Sequence, residues 1–276
     1  MLHFWRKTPA FKGKKRLLRF LYKKQIAKFR DINVNIKGLQ FTLPNLKESI
    51  SFDLFFDGVY EKDLIDFLIK NIPKNGAFID VGANIGAISI LVASARPDVK
   101  IFAFEASPFV YSYLKINVVS NNFHNITHIN RAIHNIDNLE MDFFSPEDLY
   151  GKGSFSPVFT TVSEKVKTLR LDNYFTTNSI IPDYIKVDVE GYEKLIFESL
   201  GDFLTGSKKP IIIFEFVDWA EKLSELFNPG DAQFYLSEKG YNLYDFDKYQ
   251  NNKNIPELKI LSFGSAEIIA ISNNSE

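Results

Sequence analysis

The sequence predicts an α/β fold built on a largely parallel sheet, and three observations carry that expectation. Short apolar runs alternate with helical segments from residue 77 onwards. Four of those runs end on an acid, at Asp80, Glu105, Asp188 and Glu215. Ligands of open α/β sheets gather at the carboxyl ends of the strands, so the four acids point to one site. Finally, two closely spaced strand patterns, residues 241–246 and 267–271, suit an antiparallel pair at a sheet edge.

In chain order, residues 14–30 repeat apolar side chains at helical spacing, and 32–56 alternate around Gly38 and Pro44 as short strands and turns would. Residues 61–71 form a helix whose apolar stripe is Leu64, Ile65, Leu68 and Ile69. Three strands at 77–81, 100–104 and 126–133 follow, alternating with two helices at 85–95 and 108–120. Residues 139–144 read as an edge hairpin or extension. Residues 145–164, rich in Gly, Ser, Pro and Thr, read as a loop whose length implies function or mobility. Strands at 184–187 and 211–216 and helices at 192–200 and 231–239 complete the alternation. The expected division is a basic arm with short strands over 1–50 and a ligand-binding domain over 51–276.

Aromatic residues make up 15% of the 276, enough to fill a sizeable core, so disorder is excluded. The chain has no cysteine, which removes disulfides, thiolate zinc sites and cysteine nucleophiles, and makes a reducing, cytoplasmic location the expected one. No apolar run is long enough to span a bilayer. The net charge of −1 conceals an asymmetry. Residues 1–30 hold 11 of the 33 Lys and Arg and no acid, leaving 22 basic against 34 acidic residues in the remainder. Leu17, Leu18, Leu21, Tyr22 and Phe29 line one side of this arm. Two readings stand: residues 1–30 lie peripherally on anionic lipid at the inner face of the membrane or dock on a partner, or they pack on the main domain. A nucleic-acid partner is not expected, because the acidic body repels phosphate.

Residues 78–90 read FIDVGANIGAISI, a strand, a glycine turn and a helix. A dinucleotide turn needs Gly-x-Gly-x-x-Gly, but Asn84 occupies the middle position and Ala87 follows Gly86. No Gly-Lys-Ser/Thr is present, so it is not a P-loop. Asp80 sits just ahead of the turn and would repel phosphate. An acid there suits S-adenosylmethionine, which carries an ammonium and a sulfonium and no phosphate. Glu105, 25 residues further on at the next strand end, is placed to accept hydrogen bonds from both ribose hydroxyls. Tyr111 and Lys115 match a short-chain dehydrogenase pair in spacing, but they fall too early in the chain for that role and read as helix surface.

These segments together are similar to a known family. FIDVGANIGAISI, FAFEASP, NITHINRAI, TLRLDNYF, YIKVDVEGYEKLIFESL and PIIIFEF resemble the FkbM-type methyltransferases in order and spacing. FDGVYEKDLI fits the Gly-x-Tyr-Glu pattern ahead of the turn, and the element from Lys186 to Glu193 makes the likeness specific. Glu105-Ala106 departs mildly from the family's usual Glu-Pro. The resemblance covers about 51–272 and omits the basic arm. It implies a class I methyltransferase fold, a Rossmann-like, mostly parallel seven-stranded sheet with an antiparallel C-terminal edge strand and helices on both faces. It also implies methyl transfer from S-adenosylmethionine to a sugar or polyketide hydroxyl. By position, Asp80, Gly82, Asn84 and Gly86 would surround the methionine end. Glu105 would hold the ribose with Ser107 nearby, and Glu61 would close over the cofactor.

A sugar hydroxyl needs a base or a metal to lose its proton. Asp188, Glu190 and Glu193 after one strand and Glu215 after the next are the candidates. The arrangement resembles that of metal-dependent sugar O-methyltransferases, in which acids after these strands bind magnesium. Asp188 and Glu215 are therefore expected to flank the acceptor, with or without Mg2+, one of them acting as base. Glu193 is expected only to favour its helix N-terminus. The expected partner is a small-molecule or glycan acceptor. A lipid or polyketide acceptor, or a non-catalytic binding module, remains the competing reading.

Overall fold

A computed structural model describes residues 13–272 except 225, together with Trp5, Arg6, Thr8 and Phe11. Lys7, Pro9 and Lys12 of the basic arm lie outside the described residues. Instead of one helix reaching Arg30, the arm forms α1 (Lys14–Leu21) and α2 (Lys23–Ile26). The break falls at Tyr22, whose backbone leaves the helical region (φ −113°, ψ 20°). One face of α1 packs on the body: Leu18 is fully buried, Lys14 reaches Asp57 at 3.2 Å and Lys15 reaches Asp53 at 2.5 Å.

The antiparallel hairpin of β1 (Arg30–Ile36) and β2 (Leu39–Asn45) follows. Alternation predicts further strand up to residue 56, but residues 49–57 form helix α3 (Ser49–Asp57). The misreading has a physical cause. Ile50, Phe52, Leu54, Phe55 and Phe56 are all buried, and only Ser49, Asp53 and Asp57 form a narrow polar stripe, so the 3.6-residue period is faint. Helix α4 (Lys62–Asn71) buries Leu64, Ile65 and Leu68 as expected, along with Phe67. Asn117 ties the hairpin to the body, accepting from Thr42 N at 2.7 Å and donating to Ile85 O at 2.9 Å.

The main sheet begins with β3 (Ala77–Val81), α5 (Ala87–Ala95), β4 (Lys100–Glu105), α6 (Pro108–Ser120) and β5 (Ile126–Asn130). The chain then leaves it for a small sheet of β6 (Ala132–Ile133), β7 (Glu140–Phe143) and β8 (Glu164–Leu169), with β8 in the middle. Strand β8 and the following α7 (Leu171–Asn178) were not apparent from periodicity. The second half of the main sheet comes from β9 (Tyr184–Val187), α8 (Glu193–Ser199), β10 (Ile211–Val217), α9 (Asp218–Leu223), α10 (Asp231–Glu238), β11 (Tyr241–Asp245), α11 (Phe246–Tyr249) and β12 (Ser265–Ser272).

The seven strands lie in the order β11-β12-β10-β9-β3-β4-β5. Strands β3, β4, β5, β9 and β10 are mutually parallel, while β12 runs antiparallel to both β10 and β11. This is the mostly parallel sheet and antiparallel edge pair that the sequence predicts. Strand β3 has no exposed residue, as a central strand covered on both faces requires. Successive strands build outward from β3 through β4 to β5, then resume on its other side at β9. The crevice for a ligand therefore opens at the carboxyl ends of β3 and β9.

One buried cluster joins Leu18, Val34 and Phe41 to Phe78, Ile90 and Leu114, so the arm and hairpin share a core with the sheet. A second cluster, including Phe175, Phe197 and Phe214, covers the opposite face. Among the described residues, no helix is long and apolar enough to cross a membrane.

Candidate active site

Between β3 and α5 the backbone turns sharply through three left-handed residues, Gly82 (φ 76°), Asn84 (φ 54°) and Gly86 (φ 85°). Gly82 N and Ala83 N both donate to Phe104 O, fastening the turn to the end of β4. Glycine at 82 is required twice over. Besides its positive φ, a Cβ there would lie 2.0 Å from the carbonyl oxygen of Asp188, where the loop after β9 crosses. Gly86 instead lets α5 approach α6, since its Cβ would lie 2.8 Å from Leu114.

The turn also positions an acid. Glu105 Oε2 accepts from Asn84 N at 2.9 Å and Oε1 from Ser107 N at 2.9 Å. Burial nevertheless raises the Glu105 carboxyl to about 7. Ser107 is the N-cap of α6, its Oγ accepting from Val110 N at 3.3 Å.

Beneath the turn, Asp80 is fully buried. Its Oδ2 accepts from Ser89 Oγ at 2.5 Å, while Oδ1 has no hydrogen-bond partner. The Lys186 ammonium lies 3.8 Å from that Oδ1 and 3.2 Å from Asp188 Oδ2, and donates to Gly82 O at 3.3 Å. Burial alone would lower the Lys186 pKa, but Asp188, Asp80 and Glu61 together raise it above its ordinary value. A single ammonium thus joins the ends of β3 and β9.

Above the turn a cavity of about 210 Å³ opens. Gly82, Asn84 and Glu105 form one wall and Asp188, Glu190 and Glu215 another. Glu215 is solvent-accessible, yet the enclosing walls, followed by the charges of Asp188 and Glu190, raise its carboxyl to about 7. Glu190 takes a left-handed backbone (φ 54°) and pairs with Lys152 at 2.6 Å, leaving its buried Oε2 without a partner. Lys152, Tyr150, Gly151, Gly153 and Phe155 all line the cavity, so the glycine-rich segment read as a loop does shape it.

A family model described as the methyltransferase FkbM domain matches residues 80–243, more than half of the chain. The chain belongs to the FkbM methyltransferase family. A 69-residue segment is 36% identical to the methyltransferase sdnD of Sordaria araneosa, a match spanning 25% of this chain and 24% of that protein. Among solved structures, TYW2 of M. jannaschii in complex with AdoMet is 16% identical with a TM-score of 0.42, covering 88% of this chain and 85% of that one. A putative caffeoyl-CoA O-methyltransferase of Staphylococcus aureus is 14% identical with a TM-score of 0.43, covering 94% and 99%.

This FkbM-family enzyme is an S-adenosylmethionine-dependent methyltransferase, and its cavity fits that cofactor by charge. Five acids, Glu48, Glu105, Asp188, Glu190 and Glu215, line it against two cations, Arg131 and Lys152, which suits a cationic methyl donor. Val81, Phe104 and Ile133 add an apolar stretch of wall. Of the residues placed around the cofactor by sequence, Gly82, Asn84 and Glu105 do line the cavity. The other four do not: Asp80 lies beneath it, Gly86 packs on α6, Ser107 caps a helix, and Glu61 borders a smaller cavity with Lys186 and Glu267. That smaller cavity shares Asp188 and Glu215 with the main one. All three candidate catalytic acids line the main cavity.

Magnesium fits these residues poorly. Among the described residues, no group of three or more acids and histidines has a metal-holding arrangement. Asp188 already carries the Lys186 ammonium, whose charge would oppose a divalent ion.

Lys186, Lys152, Arg131 and Tyr150 were not identified as site residues from sequence. Lys186 stood in the family-specific segment, but only the sheet reveals that its side chain meets Asp80 and Asp188. Glu193 starts α8, as expected, and is also 3% exposed, accepting from Gly191 N at 3.2 Å. Burial raises its carboxyl from 4.5 to about 8, so the folded state holds a proton that the unfolded state releases. Its contribution to stability is complete below about 4.5 and is lost as pH rises through about 8. Glu193→Gln should lessen this fall, read as a smaller loss of thermal midpoint between about pH 6 and about pH 9.

Proposed function

We propose that this methyltransferase transfers the methyl group of S-adenosylmethionine to a hydroxyl of a sugar or glycan. The observation that carries this reading is that Asp188, Glu190 and Glu215 line the same cavity as Gly82, Asn84 and Glu105. The cofactor supplies an electrophilic methyl group on sulfur, and the chain's task is to align and deprotonate the acceptor. Glu215 would take the proton of the acceptor hydroxyl as its oxygen receives the methyl group. A carboxyl with a pKa of about 7 is matched to that role near neutral pH. Asp188, held by Lys186, and Glu190, held by Lys152, act as positioning groups that accept hydrogen bonds from the acceptor.

A sugar ring suits the surface beside the cavity for a second reason, where Lys152 of the cavity lining meets Trp219. The Trp219 ring is 41% exposed, with Phe159 edge-on at 5.9 Å and the Lys152 ammonium 5.8 Å above it. A flat aromatic face beside charged hydrogen-bonding groups matches the apolar face and hydroxyl rim of a pyranose.

The test is a labelled-methyl assay against matched panels of glycans, polyketides and lipids, with cofactor binding followed by calorimetry. Transfer to glycan hydroxyls is expected, and transfer confined to another panel would overturn the acceptor class. Cofactor binding without transfer to any panel would leave a binding module and overturn the catalytic reading.

A further inference from the structure

Helix α1 presents two faces of different character. Its inward cations are engaged with the body: Lys14 and Lys15 pair with Asp57 and Asp53, and Arg19 donates to Lys47 O at 2.9 Å with its guanidinium 4.4 Å over the Phe52 ring. Arg30 likewise pairs with Asp148 at 2.6 Å. The outward face exposes apolar side chains, with Phe20 80%, Leu21 51% and Leu17 38% accessible, and Phe11 50% accessible just ahead of the helix. Arg16, Lys23, Lys24 and Lys28 are exposed beside them and form no ion pair among the described residues. The arm's cations are thus divided between those that hold it to the protein and those left facing solvent around an apolar strip.

We propose that this face docks on an anionic lipid surface, with Phe20, Leu21, Leu17 and Phe11 entering the headgroup boundary and Arg16, Lys23, Lys24 and Lys28 meeting the headgroups. Apolar side chains set among cations are the chemistry of an interfacial helix. A soluble polyanion would use the cations and leave Phe20 and Leu21 in water. A second copy of the same face would set cations against cations. Charge also fixes the orientation. Beyond residue 30 the chain carries 22 basic and 34 acidic residues, so an anionic surface attracts the arm and repels the body.

The docking face is one helix away from the cavity. Arg19 binds at Lys47, and the next residues, Glu48, Ser49 and Ile50, line the cavity. This arrangement suits an acceptor hydroxyl held at a lipid surface. The docking itself does not depend on which hydroxyl is methylated.

Vesicle sedimentation of the full chain tests the proposal, using phosphatidylcholine alone and phosphatidylcholine mixed with phosphatidylglycerol. Binding is expected only to the anionic vesicles, with release as salt shortens the screening length. Phe20→Ser with Leu21→Ser should weaken binding by about tenfold or more. Both side chains are exposed, so the thermal midpoint should not move, which distinguishes lost docking from lost folding. Wild-type protein that ignores both vesicles, or a double variant that binds equally well, overturns the proposal. So does a wild-type dimer in light scattering that the double variant converts to monomer, because the face would then be a self-interface.

Discussion

Glu215→Gln lowers turnover by about 10²- to 10⁴-fold while S-adenosylmethionine binds with near wild-type affinity. The amide keeps the size of the side chain and removes the basic oxygen. The loss therefore falls on proton transfer from the acceptor and not on the cavity's shape. In the wild type the base works only when ionised, so kcat/KM rises with pH through about 7 as Glu215 loses its proton. The variant should lack that rise, a signature a merely structural role would not produce. Initial rates of labelled-methyl transfer across this range, paired with calorimetry, provide the check. Near-normal turnover with the rise intact would move the basic role to Asp188, the other acid of the same wall.

Lys186→Met destabilises the fold by about 3–5 kcal/mol, because it strips the ammonium from a buried carboxylate. Asp80 is fully buried and, among the described residues, its Oδ1 accepts no hydrogen bond and only Lys186 compensates that oxygen's charge. In a chain of this size the loss corresponds to a fall in midpoint of about 10 °C. Pairing the change with Asp80→Asn should recover part of it, since removing both partners leaves no uncompensated charge. Thermal and denaturant melts of the two single variants and the double variant measure the coupling, and purely additive losses would refute it. The pH dependence has a definite sign. Lys186 holds its proton more tightly folded than at its ordinary 10.5, so its contribution is complete at neutral pH and is lost only in strong alkali. Because Lys186 also holds Asp188, the single variant should lose activity alongside stability.

Much of the fold was legible because its signals are local. Strands covered on both faces leave short apolar runs, and a turn through left-handed backbone selects for Gly82, Asn84 and Gly86. The exceptions have separate causes. Helix α3 buries most of its surface and keeps only the narrow stripe of Ser49, Asp53 and Asp57 polar, so its helical period is faint in sequence. Strand β8 was hidden for another reason. Its partners β6 and β7 are distant in sequence, and pairing alone defines so short and exposed a strand.

The candidate site divides in the same way. That acids stand at or near the carboxyl ends of four strands, at 80, 105, 188 and 215, and that a glycine turn follows the first of them, was determined by the order of residues along the chain. Asp80 and Glu215 nevertheless lie inside β3 and β10 and do not end them. Which of those acids reach the cavity was decided by packing. Asp80 lies within β3, where its side chain meets Ser89 of α5 and the ammonium of Lys186, so it supports the turn from below. Glu105, at the end of the neighbouring strand, is held at the cavity wall by backbone N–H groups of the turn and of α6. Side-chain direction alternates along a strand, and its neighbours determine what each face meets. Sequence alone could therefore name the acids, but only the assembled sheet could separate the supporting carboxylate from those open to a substrate.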